Sequence, residues 1–402
     1  MNRFRNDLPA LSNKDYFNYG GQGPLPKSSL HAITNSWEKI QELGPFTNDV
    51  WPFISNEIQG TKNLIAEFCG VTSRRIALTE NVTSGCVLPL WGLPFSKGDR
   101  LLISNCEHPG VVSACKELAK RKDLHIDILD VLSLRRGVEG SKKNQDEVIK
   151  TIEGGLTART KLVVLSHLLW NTGQIMPIEL IANLLLNQSN QPYFLVDAAQ
   201  SFGQIPIRDS ASKVDIYALT GHKWAFGPEG LGAVVLSERV LAEANPTLVG
   251  WKALTNESSI YINEIQPFHK DARRFEIATS CTPLLAGLRC SLNLLKEQGT
   301  DSERINSIKL RSKRLWLELK GVTSIKPVLE GPPPAGLVSF TINSKLSPNQ
   351  IVKLLAKESI FIRVLEDPIW LRACVHITST EREIKRLVTA LKEIVATYKN
   401  HL

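Results

Sequence analysis

Short apolar runs alternate with longer stretches of helical spacing through the first two-thirds of the chain. RIALTE (75–80), RLLISN (100–105), KLVVLSH (161–167), PYFLVDAA (192–199) and VDIYALT (214–220) are rich in β-branched and aromatic residues. Most are continuously apolar rather than alternating, which is the pattern of strands buried on both faces. Between and beside them, 55–69, 84–92, 109–121, 144–153 and 177–187 carry apolar residues three and four apart, the period of a helix with one buried face. Buried strands interleaved with helices predict an α/β fold, a mostly parallel sheet between two layers of helices.

After about residue 283 the pattern changes. Two helical stretches (283–298 and 301–320) lead to GLVSFTIN (336–343), a helix over 348–358, IFIRVL (360–365), RACVHIT (372–378) and a closing helix over 380–399. In that last helix Ile384, Leu387, Val388, Leu391, Ile394 and Val395 fall on one face, and Thr380 with Glu383 makes a capping-box start. The expected division is a large domain over 20–282 and a smaller α+β domain over 283–402, with an arm over 1–19 packing against the smaller one. EGPPPAG (330–336) reads as a rigid loop inside the smaller domain.

Composition narrows the function classes. With 402 residues, 43% hydrophobic and 22% charged, the chain is a globular protein large enough for a sizeable core. Its net charge of +8, from 48 basic and 40 acidic residues, is mild. The densest basic stretch (304–320) reads as a solvated helix face rather than a nucleic-acid surface. No apolar run approaches the roughly 20 residues of a membrane span, and the N-terminus lacks the apolar core of a signal peptide. The seven cysteines are irregularly spaced, without a C-x-x-C pair. They point to reduced thiols in a cytoplasm and away from a disulfide framework or a metal site.

Open parallel sheets bind ligands beyond the carboxyl ends of their strands, so polar residues there carry the argument. FLVDAAQ ends a strand on Asp197, whose burial demands a cation or a helix cap. After RIALTE, Thr83, Ser84 and Gly85 open a helix and present hydroxyls and free N–H groups suited to a phosphate, although such residues also serve as plain caps. His108 stands at another strand-to-helix junction, where capping is the ordinary role. LTGHKWAFGPEGLG (219–232) seats a single lysine, Lys223, just beyond an apolar strand. Together these supply a phosphate cup, a flat imidazole, an acid and an amine, and Ala198 and Ala199 leave room for a planar ring. Pyridoxal phosphate requires that set: a lysine to form a Schiff base, an acid to keep the pyridine nitrogen protonated, and an anchor for the phosphate.

At this level the chain resembles the class V aminotransferase branch of fold-type-I pyridoxal phosphate enzymes, nearest to the cyanobacterial cystine/cysteine C–S lyases, which are relatives of the cysteine desulfurases. The resemblance runs through YFNYGGQGPLP (16–26), ENVTSGC (80–86), CEHPG (106–110), LSHLLWNTGQ (165–174), VDAAQS (196–201), TGHKW (220–224), NPTLVGW (245–251), RRFEIATS (273–280) and IRVLEDPIWLRAC (362–374). It implies that Lys223 anchors the cofactor and moves the α-proton, Asp197 pairs with the pyridine nitrogen, His108 stacks on the ring and Gln200 bonds its hydroxyl. Thr83, Ser84, Thr220 and His222 would hold the phosphate. Thr279 would reach the phosphate from a second subunit, which implies a homodimer. Arg363 and Arg372 would grip the substrate carboxylate, while Trp170, Asn171 and Trp251 would line the pocket.

One departure concerns sulfur. Desulfurases place a mobile cysteine between those arginines, whereas here VLEDPIWL (364–371) has no thiol and Cys374 lies in a strand-like run. The resemblance then favours β-elimination from cystine or cysteine, giving pyruvate, ammonia and a persulfide or sulfide, which a sulfur-accepting protein would take onward. Desulfuration, or transamination or epimerisation of another amino acid, is the alternative.

Overall fold

The computed structural model describes residues 3–135, 142–255 and 268–398. In chain order its strands are β1 (Asp15–Tyr16), β2 (Ile76–Thr79), β3 (Arg100–Ser104), β4 (His125–Leu129), β5 (Thr160–Ser166), β6 (Tyr193–Asp197), β7 (Ile216–Thr220) and β8 (Gly232–Leu236). They are followed by β9 (Ile325–Pro327), β10 (Leu337–Ile342), β11 (Ile360–Phe361), β12 (Arg363–Glu366) and β13 (Ile369–Cys374).

Seven strands form the main sheet in the order β2-β8-β7-β6-β5-β3-β4. Only β8 runs antiparallel to its neighbours. Every residue of β6, β7 and β8 is buried, as continuous apolar strands require when helices cover both faces. From β3 the chain steps outward to β4 and then returns to the other side of β3 as β5. That reversal opens a crevice beyond the carboxyl ends of β3 and β5, where such sheets bind ligands.

The five expected strands are present, and two more join them. β4 (HIDIL) lies at the sheet edge with polar residues on its open side, so it lacks the continuous apolar signature. β8 follows β7 after a glycine-rich turn and returns antiparallel, a connection that needs no helix. The helix expected over 55–69 begins earlier, spanning Val50–Cys69. A helix over Lys27–Leu43, not expected from the pattern, is mostly exposed, with Ser29, Ser36 and Ile40 buried. It packs closely on the helix Thr282–Lys296, where a Cβ on Gly287 would fall 2.6 Å from Ile33 Cγ1.

The second sheet is antiparallel, in the order β12-β13-β10-β9. IFIRVL divides into β11 and β12, and the strand expected over 372–378 is shifted to β13, so that Arg372 stands inside it. The helix Glu381–Thr397 starts on the expected capping box of Thr380 and Glu383. The N-terminal segment packs on this part of the chain: β1 pairs with β11, Arg5 bridges to Glu383 at 2.7 Å, and Arg386 bonds Asp15. Among the described residues no helix is long and apolar enough to cross a membrane.

Candidate active site

Asp197 is the last residue of β6, and one of its carboxylate oxygens (Oδ1) accepts the Ala199 N–H at 2.8 Å. Burial raises its pKa, against the Ala199 N–H and the positive charge of Lys223. No ion pair to Asp197 exists among the described residues. This is a buried carboxyl prepared for a cation that the chain itself does not bring into contact.

Lys223 lies three residues beyond β7. Burial lowers its amine to about 8, with Asp197 opposing the shift and Arg372 and Arg363 adding to it. The turn around it is held from several sides. Trp224 is fully buried, donates from Nε1 to Gln200 Oε1 at 2.8 Å, and its carbonyl lies 3.0 Å from His376 Nε2. Phe226 adopts a left-handed backbone (φ 55), and a Cβ on Gly23 would fall 2.1 Å from the Lys223 carbonyl oxygen. The NYGGQG stretch therefore passes against the lysine turn because it has no side chain there.

His108 caps the helix Pro109–Lys122, its Nδ1 accepting the Gly110 N–H at 3.2 Å, and its ring meets Trp170 edge-on at 6.0 Å. Its pKa is lowered by burial and by Lys223. Thr83 and Ser84 open the helix Val82–Leu90, where Asn81 accepts the Ser84 N–H at 2.9 Å. Thr220 Oγ1 and His222 Nδ1 lie 2.8 Å apart beside the lysine.

Arg363 and Arg372 are cross-strand partners in register, which places two guanidinium groups on one face. Arg372 is 1% exposed, donates from Nη1 to the Trp170 carbonyl at 2.8 Å, and leaves Nε without a partner. Trp170 Nε1 is likewise buried and unpartnered. Two like charges at paired register positions, joined to no acid among the described residues, would suit an anion.

The structure thus gathers Lys223, Asp197, His108, Arg363 and Arg372 by mutual electrostatic influence, with Trp170 against both His108 and Arg372. Gln200 joins them, but its amide already donates to the Gly20 carbonyl at 2.9 Å and accepts from Trp224. Asn171 is buried, with its Oδ1 accepting the Thr172 N–H at 2.8 Å. Two expected residues stay apart within a single chain: Thr279 is exposed, and Trp251 is 44% exposed with its ring against Lys252.

Two residues carried no role in the sequence. Gly20 lies against the arginine, where a Cβ would fall 2.9 Å from Arg372 Nη2 and 3.0 Å from Gln200 Oε1. Glu107 is a buried acid next to His108, and its partners become visible only in the fold.

The family model for aminotransferase class V matches residues 50–387. The chain belongs to the class V aminotransferase family. Members of this family are pyridoxal-phosphate-dependent enzymes. The chain is similar to the cystine C–S lyase C-DES solved with its reaction product cysteine persulfide, at 38% identity over 96% of this chain and 99% of that one, with a TM-score of 0.90. A C-DES mutant solved with glycine covalently linked to its pyridoxal phosphate cofactor is 37% identical over 97% and 99% of the two chains, with a TM-score of 0.91. A probable cysteine desulfurase of Methanothermobacter thermautotrophicus is 25% identical over 97% of each sequence. The residues present fit the family cofactor: the buried, unpaired acid Asp197, the depressed Lys223 amine and the helix start at Thr83 and Ser84 are the kinds of group its ring nitrogen, aldehyde and phosphate require.

Proposed function

We propose that this enzyme is a pyridoxal-phosphate-dependent C–S lyase that cleaves L-cystine, and less readily L-cysteine, by β-elimination. Lys223 would hold the cofactor, Asp197 its ring nitrogen, His108 its ring face and Gln200 its hydroxyl. Thr83, Ser84, Thr220 and His222 would hold the phosphate, completed by Thr279 of a partner subunit in a homodimer. The bound cofactor supplies an electron sink that makes the substrate Cα–H acidic. The free amine of Lys223, held near neutrality by burial, takes that proton. Arg372 and Arg363 fix the carboxylate, and Trp170, Asn171 and Trp251 border the side chain.

For cystine the Cβ–S bond then breaks. The leaving group departs as cysteine persulfide, and water converts the remaining three-carbon fragment to pyruvate and ammonia. A persulfide is a weaker base than the hydrosulfide that cysteine would expel, which favours cystine. A sulfur-accepting protein would take the product onward. The free state of all seven cysteines is in keeping with a cytoplasmic enzyme. In this reading 20–282 carry the cofactor, while 283–402, with the arm 1–19 packed against it, supply the carboxylate clamp.

The observation that carries elimination over desulfuration is the hairpin between the arginines. Residues 364–371 contain no thiol, and Cys374 beyond them is 0% exposed, its pKa raised by burial. A thiol so placed is a poor nucleophile. Because Cys374 lies beside Arg372 and the Gly20 backbone, the desulfurase reading has a candidate there. Cys374→Ser is expected to retain C–S cleavage of cystine, measured as pyruvate release. A folded Cys374→Ser protein without cleavage would favour desulfuration.

Arg372→Ala is expected to raise the Michaelis constant for cystine about 10–150-fold, the equivalent of about 1.5–3 kcal/mol for a charge-assisted contact. Its kcat should change less. Steady-state kinetics check this, and an unchanged Michaelis constant would place the carboxylate elsewhere.

A further inference from the structure

Glu107 is a buried carboxylic acid for which the elimination has no use. Its Oε1 accepts from Ser104 Oγ at 2.5 Å and from the Ser166 backbone N–H at 2.8 Å, and its Oε2 lies 2.8 Å from Ser166 Oγ. Ser104 closes β3, and its hydroxyl also accepts the Cys106 N–H at 3.1 Å. Ser166 closes β5 in register with Asp197, and the next residue, His167, donates its N–H to the Asp197 carbonyl at 2.9 Å. One side chain therefore ties the strand end that leads into His108 to the strand end paired with Asp197.

We infer that Glu107 is a positioning residue of the cofactor pocket: clamped as a neutral acid between Ser104 and Ser166, it fixes His108 and Asp197 relative to each other, an inference that rests on the roles proposed for those two residues.

The surroundings fit a neutral acid. The titratable groups around Glu107 are Asp197 on β6, Cys86 on the helix Val82–Leu90, Cys115 on the helix Pro109–Lys122 and the adjacent Cys106. All are acids, and no ion pair to Glu107 exists among the described residues. Burial accordingly raises its pKa to about 8, with the hydrogen bonds from Ser104 and Ser166 opposing the shift and the charge of Asp197 adding to it. In the structure Ser166 Oγ donates to Oε2; in the neutral acid that bond reverses, Oε2–H donating to Ser166 Oγ, while Oε1 still accepts two bonds. Ionised, it loses that donor and sets a second negative charge near Asp197.

Glutamine reproduces the neutral form, with an amide oxygen to accept and an N–H to donate, and alanine removes the clamp. The test compares wild type, Glu107→Gln and Glu107→Ala in three measurements: pyridoxal phosphate affinity, pH titration of the visible band of the holoenzymes, and thermal stability of the apo-proteins. Glu107→Gln is expected to bind the cofactor nearly as wild type does and to lack an inflection near pH 8 that the wild-type band shows. Glu107→Ala should bind it about tenfold or more weakly, the loss of hydrogen bonds at one buried group. The folded pKa lies above the unfolded one, so the stabilisation from Glu107 is complete below the usual carboxylate range and lost as pH rises through about 8. The apo Glu107→Gln protein should thus gain on wild type as pH rises over that window. Equal cofactor affinity in Glu107→Ala, damage in Glu107→Gln as large as in Glu107→Ala, or a wild-type-to-Gln stability difference independent of pH would overturn the inference. A wild-type protein that takes up no cofactor would instead overturn the proposed function, and the apo comparison would still report on Glu107. Should Glu107→Ala fail to fold, the Glu107→Gln comparison decides.

Discussion

Lys223→Ala is expected to lower cystine cleavage by roughly 10⁴-fold, the upper end of what a positioned general base contributes, and to leave any bound cofactor removable by dialysis. Wild type should be yellow, and borohydride should fix its cofactor to the chain, while the variant should show no such attachment. The amine is prepared for this role before any ligand arrives. Its pKa is lowered to about 8, chiefly by burial; Asp197 opposes the shift, and Arg372 and Arg363 add to it. Uptake of the cofactor by the apo-protein should therefore accelerate as pH rises through about 8, where the free amine becomes the major form, rather than near the usual lysine value of 10.5. An alanine variant that still holds its cofactor covalently would remove Lys223 from the account.

Asp197→Asn is expected to keep the fold and most of the cofactor while turnover falls about 10²–10³-fold, the cost of removing one preorganised charge from a reacting centre. Asparagine can still accept the Ala199 N–H through its amide oxygen, so the strand end loses no hydrogen bond. It has no charge with which to hold a proton on a ring nitrogen. Kinetics normalised to measured cofactor content separate the two effects. Near-wild-type turnover at full occupancy would contradict the role.

The site was legible where chemistry sits at strand ends. Asp197, Lys223 and His108 could be picked out because a polar side chain stands just past an apolar run, and the helix over Asp301–Lys320 has the limits its spacing implied. Elements without that contrast were missed: β4 carries polar residues at an open edge, and β8 hides behind a glycine-rich turn. Glu107 and Gly20 were silent for a different reason. The acid is explained by Ser104 and Ser166, distant in sequence from each other. The glycine is explained by Arg372, more than 300 residues away along the chain. Such meaning arises only when the chain closes on itself. Thr279 remains exposed and Trp251 lies against Lys252 in one chain.

The central claim is that sulfur leaves by β-elimination without passing through a protein thiol. The most direct measurement is product analysis of the purified, cofactor-loaded enzyme turning over L-cystine. The account predicts equal amounts of pyruvate, ammonia and cysteine persulfide, with no sulfur added to the chain by intact-mass spectrometry. Alanine as the main three-carbon product when L-cysteine is supplied, together with a persulfide mass on the protein that disappears in Cys374→Ser, would contradict it.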